Sequence, residues 1–118
     1  RISNAKFLTE NLSKIEGIKT PVINSGNKHC FHQYTIIIDD DFKLSRDDLI
    51  KYLKDKGVGC AIYYPQPIHL ATTYQNIGYR KGDYPISEEM CKRVISLPVH
   101  PNLSKEELDK IVKVFEEI

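Results

Sequence analysis

The side chains of this 118-residue chain that could do chemistry are few and scattered. Four histidines (His29, His32, His69 and His100) and three cysteines (Cys30, Cys60 and Cys91) are the candidate ligands and nucleophiles. His29, Cys30 and His32 offer imidazole and thiolate, which are good zinc ligands. On an extended strand, however, His29 points away from Cys30 and His32, and no second close ligand pair exists. The simpler expectation packs Cys30 and His32 on one strand face and treats the three cysteines as buried free thiols. Phosphate-cradling GxGxxG and P-loop patterns are absent, as is a GxSxG elbow. Hydrolase, kinase and dinucleotide-enzyme readings therefore lack their chemistry in this chain.

What remains is Tyr63-Tyr64-Pro65-Gln66-Pro67-Ile68-His69, placed directly after a strand-like stretch. Loops at strand ends often present ligand-binding groups. Pro65 and Pro67 restrict the backbone and lower the entropic cost of holding one pose. Tyr63, Tyr64 and His69 offer rings with hydrogen-bonding tips, which suit a sugar or a nucleobase. The same residues are equally consistent with tyrosines packed under the loop, their hydroxyls in water.

The elements that must position this loop follow from periodicity. Ile2, Ala5, Leu8, Leu12 and Ile15 recur at helical spacing and predict a helix over residues 1–16, stopped by Gly17. Residues 18–23 read as an edge strand, because Pro21 cannot donate to a central ladder. The run 29–38 is rich in aromatic and β-branched residues and predicts the main strand. Ser45 with Asp48 opens a helix buried through Leu49, Ile50 and Leu53, and Gly57 closes it. Residues 58–62 predict a short strand. Residues 63–86 lose regular period and hold five tyrosines, three prolines and two glycines, with one helical turn near 70–76. A helix opening at Ser87 and running to about Val94, a strand over 95–99 and a last helix opened by a Ser104/Glu107 capping box complete the chain. This order predicts an α+β domain, a small and mainly antiparallel sheet packed with helices.

Length fits one domain with one core. Hydrophobic residues make up 41% and charged residues 28%, and net charge is +1 with the signs interleaved, which offers no basic stripe for nucleic acid. No stretch is apolar enough to span a bilayer and no signal peptide is visible, so a membrane partner is not expected and a cytoplasmic location is. The chain starts at Arg1 and enters helical pattern at once, which points to a piece of a longer protein.

One ordered set of residues resembles a known family. His32-Gln33-Tyr34-Thr35-Ile36, Arg46-Asp47-Asp48-Leu49, Gly57-Val58-Gly59, Tyr64-Pro65, Pro67-Ile68-His69-Leu70, Tyr74, Gly78-Tyr79, Gly82-Asp83-Tyr84-Pro85 and Ser96-Leu97-Pro98 look like the C-terminal third of the DegT/StrS family. The resemblance implies a fold-type-I, pyridoxal-phosphate (PLP) enzyme. Such enzymes move an amino group, usually from glutamate, to the keto carbon of a nucleotide-linked sugar, and work as homodimers. It implies that 1–118 is the small C-terminal domain and that residues 1–16 form an interdomain helix. PLP and its Schiff-base lysine would belong to a large domain absent from this chain, leaving the fragment inactive alone, without a catalytic, cofactor-binding or metal-binding residue of its own. Tyr63, Tyr64 and His69 would face the substrate. Many members carry His-Tyr-Pro where this chain has Tyr63-Tyr64-Pro65, so Tyr63 departs from the pattern. The alternative reading is a stand-alone nucleotide- or carbohydrate-binding module.

Overall fold

The computed structural model describes residues 1–118. It contains helix α1 (Ile2–Leu12), strands β1 (Ile18–Lys19) and β2 (Tyr34–Ile38), helix α2 (Arg46–Asp55), a 3-10 turn (Ile68–Leu70), and the one-turn helix α3 (Thr72–Gln75). Helix α4 (Pro85–Arg93), strand β3 (Val94–Leu97) and helix α5 (Lys105–Glu116) follow. The sheet is antiparallel in the order β1-β2-β3, so the expected α+β class with a small antiparallel sheet is what forms. No helix is long and apolar enough to cross a membrane.

Strand β2 is central, and its even residues Tyr34, Ile36 and Ile38 are buried while Thr35 and Ile37 are half-buried. Ala5, Leu8 and Leu12 of α1 and Leu108, Ile111, Val112 and Phe115 of α5 close over that face, with Leu49 and Leu53 of α2 in the same core. These are the helical faces that periodicity marks, although α1 ends at Leu12, short of the expected residue 16. Tyr34 brings a hydroxyl into the core and satisfies it on Thr9 Oγ1 at 2.8 Å. Burial pushes that phenol up, with the Thr9 bond acting the other way. The capping box forms as expected: Ser104 N–H donates to Glu107 Oε2 at 2.8 Å and Glu107 N–H to Ser104 Oγ at 3.2 Å. At α2, Asp48 N–H donates to Ser45 Oγ, but the Asp48 carboxylate accepts the Ser45 hydroxyl at 2.6 Å rather than its amide.

Four expectations are corrected. The main strand begins at Tyr34, not at residue 29, because backbone groups before it are already engaged. Phe31 N–H donates to His29 Nδ1 at 2.9 Å, and Arg1 Nη1 donates to the carbonyls of Phe31 and His32. Phe31 also adopts a φ of 48°, which no strand tolerates. The ladder has nothing to extend onto either, since the register that pairs Tyr34 with Leu97 would set Gln33 opposite Pro98. Cys30 and His32 consequently lie exposed in a loop instead of sharing a strand face.

Second, the stretch 58–62 makes a single bridge, Ala61 with Ser96, rather than a strand. Gly59 weakens it and Pro65 soon follows. Third, α4 opens two residues early, at Pro85 rather than Ser87. Pro85 takes a first-turn position with its φ preset, Tyr84 stands at the cap without a side-chain bond, and Ser87 is inside the helix. The strand after it runs Val94–Leu97, ending at Pro98. Fourth, the thiols are not buried: Cys30 is exposed, and Cys60 and Cys91 are half-buried.

Candidate functional site

The irregular segment 63–86 is anchored at its far end by α4. Arg93 on that helix donates through Nε to Glu89 at 2.6 Å and through Nη2 to Asp40 at 2.9 Å, just beyond β2. Its guanidinium is held well above its ordinary pKa, by Glu89 first and Asp40 next. Arg46 of α2 caps the carbonyls of Cys91 and Val94. The helix is thus fixed to the sheet by polar contacts, although none of its residues is fully buried.

Within the segment, Pro67 leads into the 3-10 turn and Gln66 Nε2 donates back to the Leu70 carbonyl at 2.7 Å. The turn carries His69 inward, where it is only 7% exposed. Its Nε2 lies 2.9 Å from Glu88 Oε1. The same carboxylate oxygen accepts the Gly82 N–H at 2.6 Å. Glu88 is therefore held below the usual carboxylate range, by the Gly82 amide first, with burial opposing and His69 adding to it. One carboxylate joins the 3-10 turn, the 80–83 turn and α4. Tyr84 sits edge-on to His69 with ring centroids 4.9 Å apart, Tyr79 follows at 6.1 Å from Tyr84, and Tyr74 at 6.4 Å from Tyr79. The Tyr84 phenol is pushed up by neighbouring Tyr79, with burial adding.

These rings and Tyr64 line a groove of about 470 Å³, together with Met90 and Cys91. Such an arrangement offers aromatic faces for an apolar surface and several tyrosine hydroxyls for polar contacts. Of the residues singled out from sequence, Tyr64 and His69 meet here. Tyr63 does not: it lies edge-to-face on Tyr64 at 5.7 Å but lines a second groove, of about 570 Å³, with Arg1, His32, Cys60 and His100. The Tyr63–Tyr64 peptide is cis. Glu88 was not legible as a site residue, because its sequence signal is that of an acidic residue in the first turn of a helix.

Metal and nucleophile readings gain no geometry. No group of three or more His, Cys, Asp or Glu is placed to hold an ion. His29 is engaged with Phe31 N–H, and its ring lies tilted against Phe31 with centroids 4.3 Å apart. Burial pushes the Cys60 thiol up, away from the thiolate a nucleophile needs. A Schiff-base cofactor needs an amine in a water-poor setting and donors for its phosphate. Every lysine of this chain is exposed, and neither groove contains one, so these residues do not fit as its holder.

The chain is an α+β domain with an aromatic groove on one flank. It belongs to the DegT/DnrJ/EryC1/StrS aminotransferase family, whose model matches residues 1–116. It is 34% identical to the dTDP-4-amino-4,6-dideoxy-D-glucose transaminase of Shigella dysenteriae, over all of this chain and 32% of that protein. It superimposes on a DegT DnrJ EryC1 StrS aminotransferase from Brucella abortus with a TM-score of 0.83 and 34% identity, covering 98% of this chain and 29% of the other. DesV of S. venezuelae, crystallised with a ketimine intermediate, gives a TM-score of 0.89 at 25% identity, covering 98% of this chain and 30% of DesV. The chain spans about three tenths of the length of these relatives.

Proposed function

We propose that residues 1–118 are the small C-terminal domain of a PLP-dependent enzyme that aminates a keto-sugar nucleotide with glutamate as donor. Residues 1–16 join it to a larger domain that holds PLP and the Schiff-base lysine. The assembled protein is a homodimer of the cytoplasm, and the chain alone is inactive. The observation that carries this reading is the contrast inside one groove: Tyr64, His69, Tyr74, Tyr79 and Tyr84 supply a recognition surface, while no lysine reaches it. The family name and the transaminase relatives support the reaction class. When bound, PLP supplies the electron sink for amino transfer. The residues of this chain orient the substrate and shield one flank of it from water.

Two measurements test this. Incubated with PLP, glutamate and a keto-sugar nucleotide, the isolated chain should release no amino sugar, and PLP should not become covalently attached to it. Turnover by the chain alone would sink the proposal, as would a coding sequence without a lysine-bearing domain ahead of Arg1. Tight, saturable nucleotide-sugar binding in such a protein would mark the stand-alone binding module instead.

A further inference from the structure

We propose that Glu88 is a positioning residue that holds His69 as its Nε2–H tautomer, so that Nδ1 faces the tyrosine groove as a fixed hydrogen-bond acceptor for a ligand hydroxyl or N–H. The tautomer follows from Glu88 alone; the ligand half rests on the groove being the binding surface proposed above.

The assignment starts from a backbone group. An amide N–H can only donate, so Glu88 Oε1, 2.6 Å from Gly82 N, is an acceptor. The bond from His69 converges on that same oxygen at 2.9 Å. The Gly82 amide also holds this carboxyl below its usual range, so at neutral pH it has no proton to give. Nε2 must then carry the hydrogen, and in a neutral imidazole this leaves Nδ1 with a lone pair. Nδ1 makes no hydrogen bond within the chain, yet no buried side-chain nitrogen or oxygen is left unpaired. Nδ1 therefore keeps contact with solvent, and the cavity that His69 lines is the tyrosine groove.

The ring is also held against rotation. The 3-10 turn is closed by Leu70 N–H to the Pro67 carbonyl and Ala71 N–H to that of Ile68, both at 3.0 Å. Tyr84 packs edge-on against the imidazole. A tyrosine hydroxyl can donate or accept, so the tyrosines around it set no polarity. His69 does. A lone pair favours a sugar hydroxyl or a base N–H and disfavours a phosphate oxygen, which is itself an acceptor. The groove is thereby assigned to the glycosyl or base portion of a ligand rather than to its phosphates.

Long-range proton–nitrogen correlation spectra of the nitrogen-15-labelled chain at neutral pH read the tautomer directly. A protonated Nε2 with an unprotonated Nδ1 is expected. In E88A this single-tautomer pattern should be lost to a mixture. In E88Q it should return, because Gly82 draws the amide oxygen inward and that oxygen can accept from both partners. Core methyl signals from Leu49 and Ile111 report whether each variant stays folded. An Nδ1–H tautomer in the wild-type chain, or an unchanged pattern in folded E88A, overturns the lock. Titration with dTDP-glucose should shift Nδ1, inorganic phosphate should not, and H69Q, whose amide keeps the bond to Glu88, should weaken binding roughly tenfold. Tyrosine shifts without an Nδ1 shift overturn the acceptor role. If dTDP-glucose shifts nothing, the groove reading fails while the tautomer result still decides the lock.

Discussion

The molecule divides into two regions that use side chains for different purposes. In the packed region, α1, α2, α5 and the sheet share one continuous core, with Ala5, Leu8, Leu12, Tyr34, Ile36, Leu49 and Leu53 fully shielded. The segment 63–86 carries eight of the eleven large hydrophobic side chains that are exposed, yet His69 is its only buried residue. Its shape comes from hydrogen bonds: Gln66 to Leu70, Arg80 to the carbonyls of Gln75 and Tyr79, and Gly82 and His69 to Glu88. Burial is concentrated in the first region, and the second leaves its rings exposed. A segment that buries its rings cannot also offer them to a ligand.

The sharpest way to break this division is to remove a ring from each side. Phe115→Ala should cost about 3–5 kcal/mol, the usual range for losing a buried aromatic. Phe115 is 1% exposed and belongs to the one core cluster that α1, α2, α5 and the sheet share. Urea denaturation followed by circular dichroism should show the midpoint drop, or no folded baseline at all. A cost under 1 kcal/mol would mean that the core is not where burial puts it.

The packed region was largely legible from sequence, and the groove only in part. Leucine and isoleucine spacing marks α1, α2 and α5, and Ser104 with Glu107 marks the last helix start, because these signals act within one or two turns. The strand boundary at Tyr34 depends on Arg1, at the far end of α1, reaching the Phe31 and His32 carbonyls. The His69–Glu88 bond spans nineteen residues of irregular chain, which no periodicity encodes. Tyr63 and Tyr64 are neighbours in sequence and read as one site, but the backbone sends them into different grooves.

Gly17 tests the edge of the packed region. It has φ of +78°, and an added Cβ would lie 2.4 Å from the backbone nitrogen of Phe42. Left-handed backbone and overpacking together should make Gly17→Ala cost about 2–4 kcal/mol. The same denaturation series measures it. A neutral outcome would show that the 39–42 turn, held by Asp39 N–H on the Gly17 carbonyl at 2.8 Å, gives way easily. Ser104→Ala, which removes half of the capping box, should cost about 1 kcal/mol. Ser104→Asp should recover most of that, since aspartate also caps well.

Acid should separate the two regions without any mutation. Glu88 has its pKa lowered in the folded chain, so its contribution is fully present above the ordinary glutamate value. It is lost as pH falls through the depressed one. Exchange protection of the Gly82 amide should fall in that window, below the ordinary glutamate pKa, before the signals of Leu49 or Phe115 change. Loss of all protection at a single pH would mean that segment and core unfold as one unit.

The smallest effect is the most informative about the groove region. Ile77 is 71% exposed and sits in the turn after α3. If exposed apolar side chains in the segment add nothing to folding, Ile77→Ser should leave the denaturation midpoint within about 0.5 kcal/mol of wild type. Its consequence should appear in colloidal behaviour: removing an apolar group from a segment that also exposes Ile68 and Ile86 should reduce self-association measured by light scattering. A loss of stability beyond 1 kcal/mol would mean that the segment packs on itself more closely than its exposure indicates. The line between the two regions would then fall after the groove rather than before it.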